Sequence, residues 1–392
     1  MRFGHAMEKI DERIPGVDLP LMSVSQTRGV IRRSELTDAP QRAESLDNYK
    51  VCRANDIVFN KMSIRSGAMG VAAEDGLVTY HYEVMRPREG ADPHFVAYLM
   101  KSSWFTEELI KRERGIGAGN QANVRTTEVP FSVLKTIDAY IPDRAEQRAI
   151  AGYLDRETAR IDTLVEEQQR LIELLRERRN AVLSAAFSPG PSTDTTRVGR
   201  LLSVRPSYGV LVPRYVDETE GVPFVRVGDI LNLATERPLL AITPEQSNEY
   251  SRTKISGGEV LLGVVGKMGQ AAVAPRWLAG ANVARAVAVL RCRDTAVAPL
   301  LCAWLGSNGF LRQAELATSG DSIQPTLGMK DLARFDINLP THPHAAADLA
   351  GQLAKIDTLI AETERFLELA GERRSALITA AVTGQIDVRE VA

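Results

Sequence analysis

Residues 161–187 and 356–382 are two copies of one helical sequence. IDTLVEEQQRLIELLRERRNAVLSAAF aligns without a gap on IDTLIAETERFLELAGERRSALITAAV at a single offset of 195 (356 − 161), and 14 of the 27 pairs are identical. An internal repeat at an offset near half of a 392-residue chain divides the whole sequence into two related halves. Any fold must place both copies in equivalent surroundings.

Within the first copy, Ile161, Leu164, Gln168, Leu171, Leu175, Arg178, Val182 and Ala185 step by three and four. That is a seam of period 3.5, the pattern of a helix that supercoils with another. The second copy supplies Ile356, Leu359, Thr363, Phe366, Ala370, Arg373, Leu377 and Ala380. Both seams carry a polar residue in the third slot and an arginine in the sixth. Ile161, Leu164, Leu171, Leu175, Val182, Ile356, Leu359, Phe366 and Leu377 are therefore the expected helix-pairing residues. Two arrangements satisfy the pattern. Each helix serves the core of its own domain, or the two pack on each other, antiparallel, as a spacer between two lobes. A run from 145 to 187 would span roughly 65 Å unbroken at ~1.5 Å per residue, too long for a small domain, so the second arrangement is expected. Gly152 is the weak point of that run.

A length of 392 residues accommodates two or three domains, and 44% hydrophobic with 25% charged residues is ordinary for a globular chain. No apolar run reaches eighteen residues and no signal-peptide pattern opens the sequence, which points to a cytoplasmic protein with no membrane contact. Cys52, Cys292 and Cys302 have neither ligand nor disulfide spacing. Residues 1–145 hold 20 basic and 20 acidic side chains and residues 191–340 hold 16 and 14, so contact with a polyanion must rest on local clusters.

The expected order is a first domain at 1–142, a long helix at 143–187, a linker at 188–196, a second domain at 197–340, and a long helix with its tail at 341–392. In the first domain, 21–24, 56–59 and 80–85 read as strands. A helix is expected over about 93–114, with Pro93 at its first position after Asp92. Asp143 followed by Glu146 has capping-box spacing at the start of the first long helix, and SPGPSTDTT ends it. The second domain repeats the first in outline. Gly67, Met69 and Gly70 fall on Gly266, Met268 and Gly269 at an offset of 199, and FVAYLMKSS from Phe95 falls on LLCAWLGSN from Leu300 at 205. Identities are dense in the helices and sparse in the domains, so the loops of the two domains diverge on a shared scaffold.

No catalytic constellation is present in the sequence. GVVGKM lacks the spacing and hydroxyl of a phosphate-binding loop. GIGAGN from Gly115 follows a helix rather than a strand, and His342 with His344 forms only a lone HPH. There is no NPPY-type tetrapeptide and no FxGxG, the elements an adenine methyltransferase uses for target base and cofactor. No catalytic or metal site is expected.

The first long helix carries a more specific signal. Pro142, Glu146, Gln147, Ile150, Ala151, Leu154, Ile161, Asp162, Leu164 and 177–179 (ERR) stand in the order proline, EQ, IA–x–x–L, IDxL, ERR. In this the chain resembles the specificity subunits of type I restriction–modification systems. The tail VTGQIDV and the stretch VPFVRVGDI from Val222 are also similar to that family, and the second copy lacks the EQ pair, with Ala345 and Ala346 in its place. The resemblance implies an α+β fold: two similar mixed α/β target recognition domains, separated by two long helices packed as an antiparallel coiled coil, with an internal pseudo-two-fold repeat. It implies a non-catalytic subunit that reads a bipartite site on double-stranded DNA and docks two methyltransferase subunits and a restriction subunit. S-adenosylmethionine, ATP and magnesium would belong to those partners, and this chain would hold no cofactor.

Base edges are read through paired hydrogen bonds from Arg, Lys, Asn and Gln. The candidates for DNA contact are Asn60, Lys61, Arg65, Asn120, Gln121 and Arg125 in the first lobe, and Tyr208, Lys267, Gln270, Ser322 and Gln324 in the second. Two rival readings remain at this level. A coiled-coil scaffold without nucleic acid needs only the helices, and a self-contained methyltransferase would need the motifs that are missing. If the paired helices set a spacer, one extra turn in both, about 5–6 Å, lengthens the gap between half-sites by up to about two base pairs at ~3.4 Å each. Mapping of methylated sites that finds the gap unchanged removes the ruler.

Overall fold

The computed structural model describes residues 1–39, 45–113, 129–266, 268–318 and 325–388. The architecture is α+β, and the chain divides into two compact units. Unit 1 is Met1–Gln169 with Arg365–Ala392, and unit 2 is Arg170–Glu364. Both boundaries fall inside the long helices, Arg144–Ala186 and Ala345–Val382. Each unit therefore contains a lobe and one stretch of each helix. Gly152 does not interrupt the first helix. Its start is fixed by Asp143, whose carboxylate accepts from the backbone N–H of Ala145 and Glu146 at 2.9 and 3.0 Å, satisfying donors that have no partner within the helix.

The central sheet of unit 1 is antiparallel, in the order Met7–Ile10, Tyr82–Pro87, Ile57–Asn60, Met69–Val71. Hairpin Met22–Ser25/Gly29–Arg32 and pair Lys50–Cys52/Gly76–Val78 flank it. One face packs Phe59, Met69 and Met85 against Phe3, Phe95, Leu99 and Phe105, and the same cluster takes in Ile150 and Leu154 from the first long helix with Ile378 and Val382 from the second. The single helix expected over 93–114 is two, Pro93–Lys101 and Ser103–Glu113. Ser102 breaks it: its hydroxyl donates to the Leu99 carbonyl at 2.7 Å and accepts from the Phe105 N–H at 3.2 Å, capping the helix that follows.

Unit 2 repeats this plan. Its first sheet runs Ser207–Tyr208, Val287–Leu290, Val260–Gly263, Ala271–Val273, again antiparallel. Helices Ala298–Leu305 and Asn308–Thr318 cover it, and Ser307 caps the second as Ser102 does in unit 1. A buried acid–arginine clamp also recurs. Arg86 grips Asp56 with bonds of 2.8 and 2.9 Å, and Arg291 lies 3.4 Å from Glu259. Unit 2 adds a second four-stranded sheet, Tyr215–Val216, Ala241–Ile242, Val222–Val225 and Asn282–Val283. In the VPFVRVGDI stretch the aspartate, Asp229, is buried and held by Arg226 and Arg237. The expected linker 188–196 is only partly loop. Thr193–Arg197 is a strand paired with Asp336–Pro340, because its threonines suit a pleated edge better than the flanking Pro and Gly suggest.

The inward faces of the long helices differ in phase from the seam read in the sequence. Ile161, Gln168, Leu175 and Val182 face inward with Ile356, Thr363, Ala370 and Leu377, but Leu164, Leu171, Leu359 and Phe366 are exposed. Their places are taken one residue later by Val165, Ile172, Ile360 and Leu367, and Arg179 and Arg374 are more buried than Arg178 and Arg373. The period of 3.5 is kept and alternate slots shift by one. In unit 1 Arg374 pairs with Asp162 at 3.0 Å, and in unit 2 Arg179 pairs with Asp357 at 2.8 Å. These four residues are two repeat positions used reciprocally. In unit 2 residues 183 and 187 share a cluster with 349 and 353, whereas Arg176 pairs with Glu364. Contact positions thus rise along one helix as they fall along the other.

Ile172 is 6% exposed and Leu171 is 40% exposed. Ile172→Ala is expected to cost about 2–5 kcal/mol and Leu171→Ala within about 0.5 kcal/mol. Denaturant unfolding of the two variants checks the phase, and equal losses would restore the seam read from sequence.

Candidate nucleic-acid interface

Strand register brings the candidate side chains to one end of each central sheet. In unit 1, Asn60 pairs with Tyr82, Phe59 with Met69 across a turn, and Ile10 with Val84. The loops that follow Ile10 and Asn60 and the turn that precedes Tyr82 therefore emerge together. Asn60, Lys61 and Arg65 all belong to this end. Asn60 turns the chain: its side-chain carbonyl accepts from the Met62 N–H at 3.0 Å, and its backbone N–H donates to the Ala68 carbonyl. Gly67 has φ of 79°, a left-handed conformation that glycine adopts without strain, and closes the loop.

Beside this loop lies a cavity of about 390 Å³ lined by Lys9, Asp11, Arg13, Asn48, Lys50, Lys61, Tyr80 and Glu83. Glu83 and Lys50 are each only 3% exposed. The Lys50 ammonium donates to Glu83 at 3.2 Å and to the Tyr82 carbonyl at 2.9 Å, and Lys9 donates to the other Glu83 oxygen at 3.1 Å. Two lysines share one buried carboxylate, so the triad carries a net positive charge at the floor of the cavity. Arg13 and Asp11 pair at 3.0 Å on its wall. Burial works against the Asp11 carboxylate, but Arg13, Lys50 and Lys9 together hold it below the usual range. Tyr80 is exposed and its ring lies 4.0 Å from that of His81. Four cations, two carboxylates and an exposed aromatic ring around one concavity form a surface that attracts a polyanion.

In unit 2 the same end of the sheet carries Tyr208 and Gln270, with Gly263 paired to Val287 and Tyr208 to Ala288. The Tyr208 hydroxyl donates to the Leu327 carbonyl at 2.8 Å, and burial raises its pKa. Arg285 is exposed on the turn that precedes Val287. Asn120, Gln121, Arg125, Lys267, Ser322 and Gln324 lie outside the described residues.

Sequence reasoning missed Lys9, Arg13, Asn48, Lys50 and Tyr80, which strand pairing gathers from three separate segments. It also assigned no structural role to Gln147. This fully buried side chain accepts from the Asp92 N–H at 2.7 Å and donates to the Gly90 and Pro142 carbonyls at 2.9 and 2.8 Å. It stitches the start of the first long helix to the turn that opens helix Pro93–Lys101, whose N-cap is Asp92. Among the described residues no group of three or more His, Cys, Asp or Glu side chains could hold a metal, and no helix is long and apolar enough to cross a membrane.

No protein-family model matches the chain. It is 25% identical over 249 residues to the type I restriction enzyme EcoBI specificity subunit of Escherichia coli, which covers 57% of this chain and 52% of that protein. It is 28% identical over 104 residues to the StySPI specificity subunit of Salmonella potsdam, covering 26% and 21%. The chain thus spans about half the length, or less, of the curated relatives it matches. Among solved structures, a chain from a study of complex assembly and conformational transition of the type I R-M system superposes with a TM-score of 0.73 at 18% identity, over 98% of this chain and 97% of that one. The HsdS subunit from Thermoanaerobacter tengcongensis superposes at 0.55 with 19% identity, over 98% and 96%. The proteins that this chain resembles, in sequence and in fold, are type I specificity subunits.

Glu83→Gln leaves Lys50 buried with its charge uncompensated and is expected to cost about 3–5 kcal/mol. Lys9→Ala, at a half-exposed partner, is expected to cost about 1 kcal/mol or less. Urea unfolding of both variants checks the buried triad, and a Glu83→Gln loss no larger than that of Lys9→Ala would contradict it.

Proposed function

We propose that this chain is the DNA-reading subunit of a type I restriction–modification complex. One observation carries this reading. The two lobes keep the same sheet order, the same acid–arginine clamp and the same serine cap, yet the corresponding sheet ends carry different side chains. A scaffold that is retained while its loop ends diverge is what two different half-sites require. Phosphate contacts position a protein on DNA, and base edges specify the sequence. In the first lobe, Lys61 and Arg13 at the cavity would meet phosphate, and Asn60 and Arg65 would approach base edges. In the second, Tyr208 and Gln270 would take the corresponding places.

The long helices would act as an antiparallel spacer and as the docking surface for two methyltransferase subunits. The side chains that the seam leaves outside support this role. Leu164, Phe366 and Leu369 are exposed in unit 1, and Leu359, Leu171 and Leu174 are exposed in unit 2. At the offset of 195 these are the same three repeat positions. Heptad spacing puts the residue just before each shifted seam slot on the flank opposite Asp162 and Asp357. Each unit thus offers an equivalent apolar trio, which fits two copies of one partner better than one copy of each of two. Methylation of a base inside a duplex requires the base to be flipped out. The pocket for that base, and the sites for S-adenosylmethionine, ATP and magnesium, would lie on the modification and restriction partners.

Co-expression with the modification subunit of its own system, followed by sequencing of host DNA for methylated adenines, tests the reading. The expected result is a bipartite motif that is lost when either lobe is deleted. A stable complex that methylates nothing would leave a scaffold in place of a DNA reader.

A further inference from the structure

The corresponding sheet ends differ in kind as well as in identity. In unit 1 this end is cationic, with Lys9, Arg13, Lys50 and Lys61 around the cavity. In unit 2 the loop that leaves the sheet after Tyr208 is built to hold two aliphatic side chains out in solvent. Gly209 begins it: a Cβ there would stand 1.8 Å from the Val283 carbonyl oxygen, so the backbone approaches as only glycine permits. Val210 is buried, with its N–H donating to the Val283 carbonyl and its carbonyl accepting from the Arg285 N–H, both at 2.8 Å. On the far side Gln246, only 4% exposed, donates to the Val212 carbonyl at 2.8 Å and accepts from the Arg214 N–H at 2.7 Å. Between these two anchors Leu211 is 55% and Val212 is 70% exposed.

Flexible loops expose apolar residues without consequence. A loop pinned by a required glycine, a buried valine and a buried glutamine presents them in a fixed position. Single exposed aliphatics need no explanation, but a frame dedicated to two adjacent ones does. Continuity with the polar end of the same sheet identifies the occupant, because Tyr208 precedes the tip by three residues and the exposed Arg285 is bonded to its base. On the base edges of the major groove the one apolar feature is the C5-methyl group of thymine.

Building on the DNA-reading function above, we propose that Leu211 and Val212 are specificity residues of the second lobe. They recognise thymine by packing on its methyl group in the major groove.

The test selects bound sequences from a random duplex pool with the full chain in complex with its modification subunit, then replaces thymine by uracil in the selected site. Uracil keeps every hydrogen-bonding group and lacks only the methyl. Wild type is expected to enrich thymines in one half-site and to bind about fourfold more weakly for each contacted methyl removed there. The double variant Leu211→Ser/Val212→Ser is expected to lose the thymine preference in that half alone. Equal binding of thymine and uracil sites by the unaltered protein overturns the proposal whatever the variant does. So does an unchanged motif in a folded variant. Enrichment of no sequence by wild type removes the DNA-reading function itself, and this proposal with it.

Discussion

Everything in this molecule depends on the burial of one helical face in two places. Helices within proteins gain most of their stability from tertiary packing of an apolar face. Each lobe supplies part of the cover, and a stretch of the other helix supplies the rest. Ile150 and Leu154 share a core with Ile378 and Val382, and Leu183 and Phe187 share one with Leu349 and Leu353. The reciprocal pairs Asp162–Arg374 and Asp357–Arg179 fix the register of that packing. Half-exposed ion pairs contribute little to stability, so their value lies in alignment. Aspartate and arginine are identical in the two copies because each copy provides both ends of the pair.

The period of the helices was legible in the sequence, and the phase was only half so. At each slot in doubt two adjacent residues compete: Leu164 with Val165, Leu171 with Ile172, Phe366 with Leu367. A seam of period 3.5 accepts either member, and the larger side chain is no guide when both are apolar. The tertiary fold chooses the second of each pair and leaves the first outside. The lobes were legible as a scaffold with diverged loops, down to the offsets that match Ser102 with Ser307. The cavity was not. Lys9, Lys50 and Tyr80 are distant in sequence and meet only through strand pairing, and no local pattern marks Lys50 and Glu83 as a buried pair.

The tip of the second lobe shows another limit of pattern reading. A search for nucleic-acid contacts weighs Arg, Lys, Asn and Gln, and passes over GVLVPR as ordinary loop. The signal becomes visible only when backbone anchoring and exposure are considered together, because a rigid apolar tip and a collapsed one have the same sequence. Gln246 is the reporter. A buried glutamine whose side chain bonds only to loop backbone is there to hold the loop's shape.

Arg365–Ala392 belongs to the same compact unit as Met1–Gln169. During synthesis the first lobe emerges early, yet part of its core, Ile378, Ala381, Val382 and Val388, follows the whole second unit in the chain. The second unit is contiguous in the chain, from Arg170 to Glu364. The order of completion is therefore the reverse of the order of translation. Until residues 378–388 have been made, the first lobe lacks part of its apolar core, in the interval when nascent chains are most exposed to misassembly. A protein truncated just after Glu364 would thus keep the whole second unit and fail at the end it was built from.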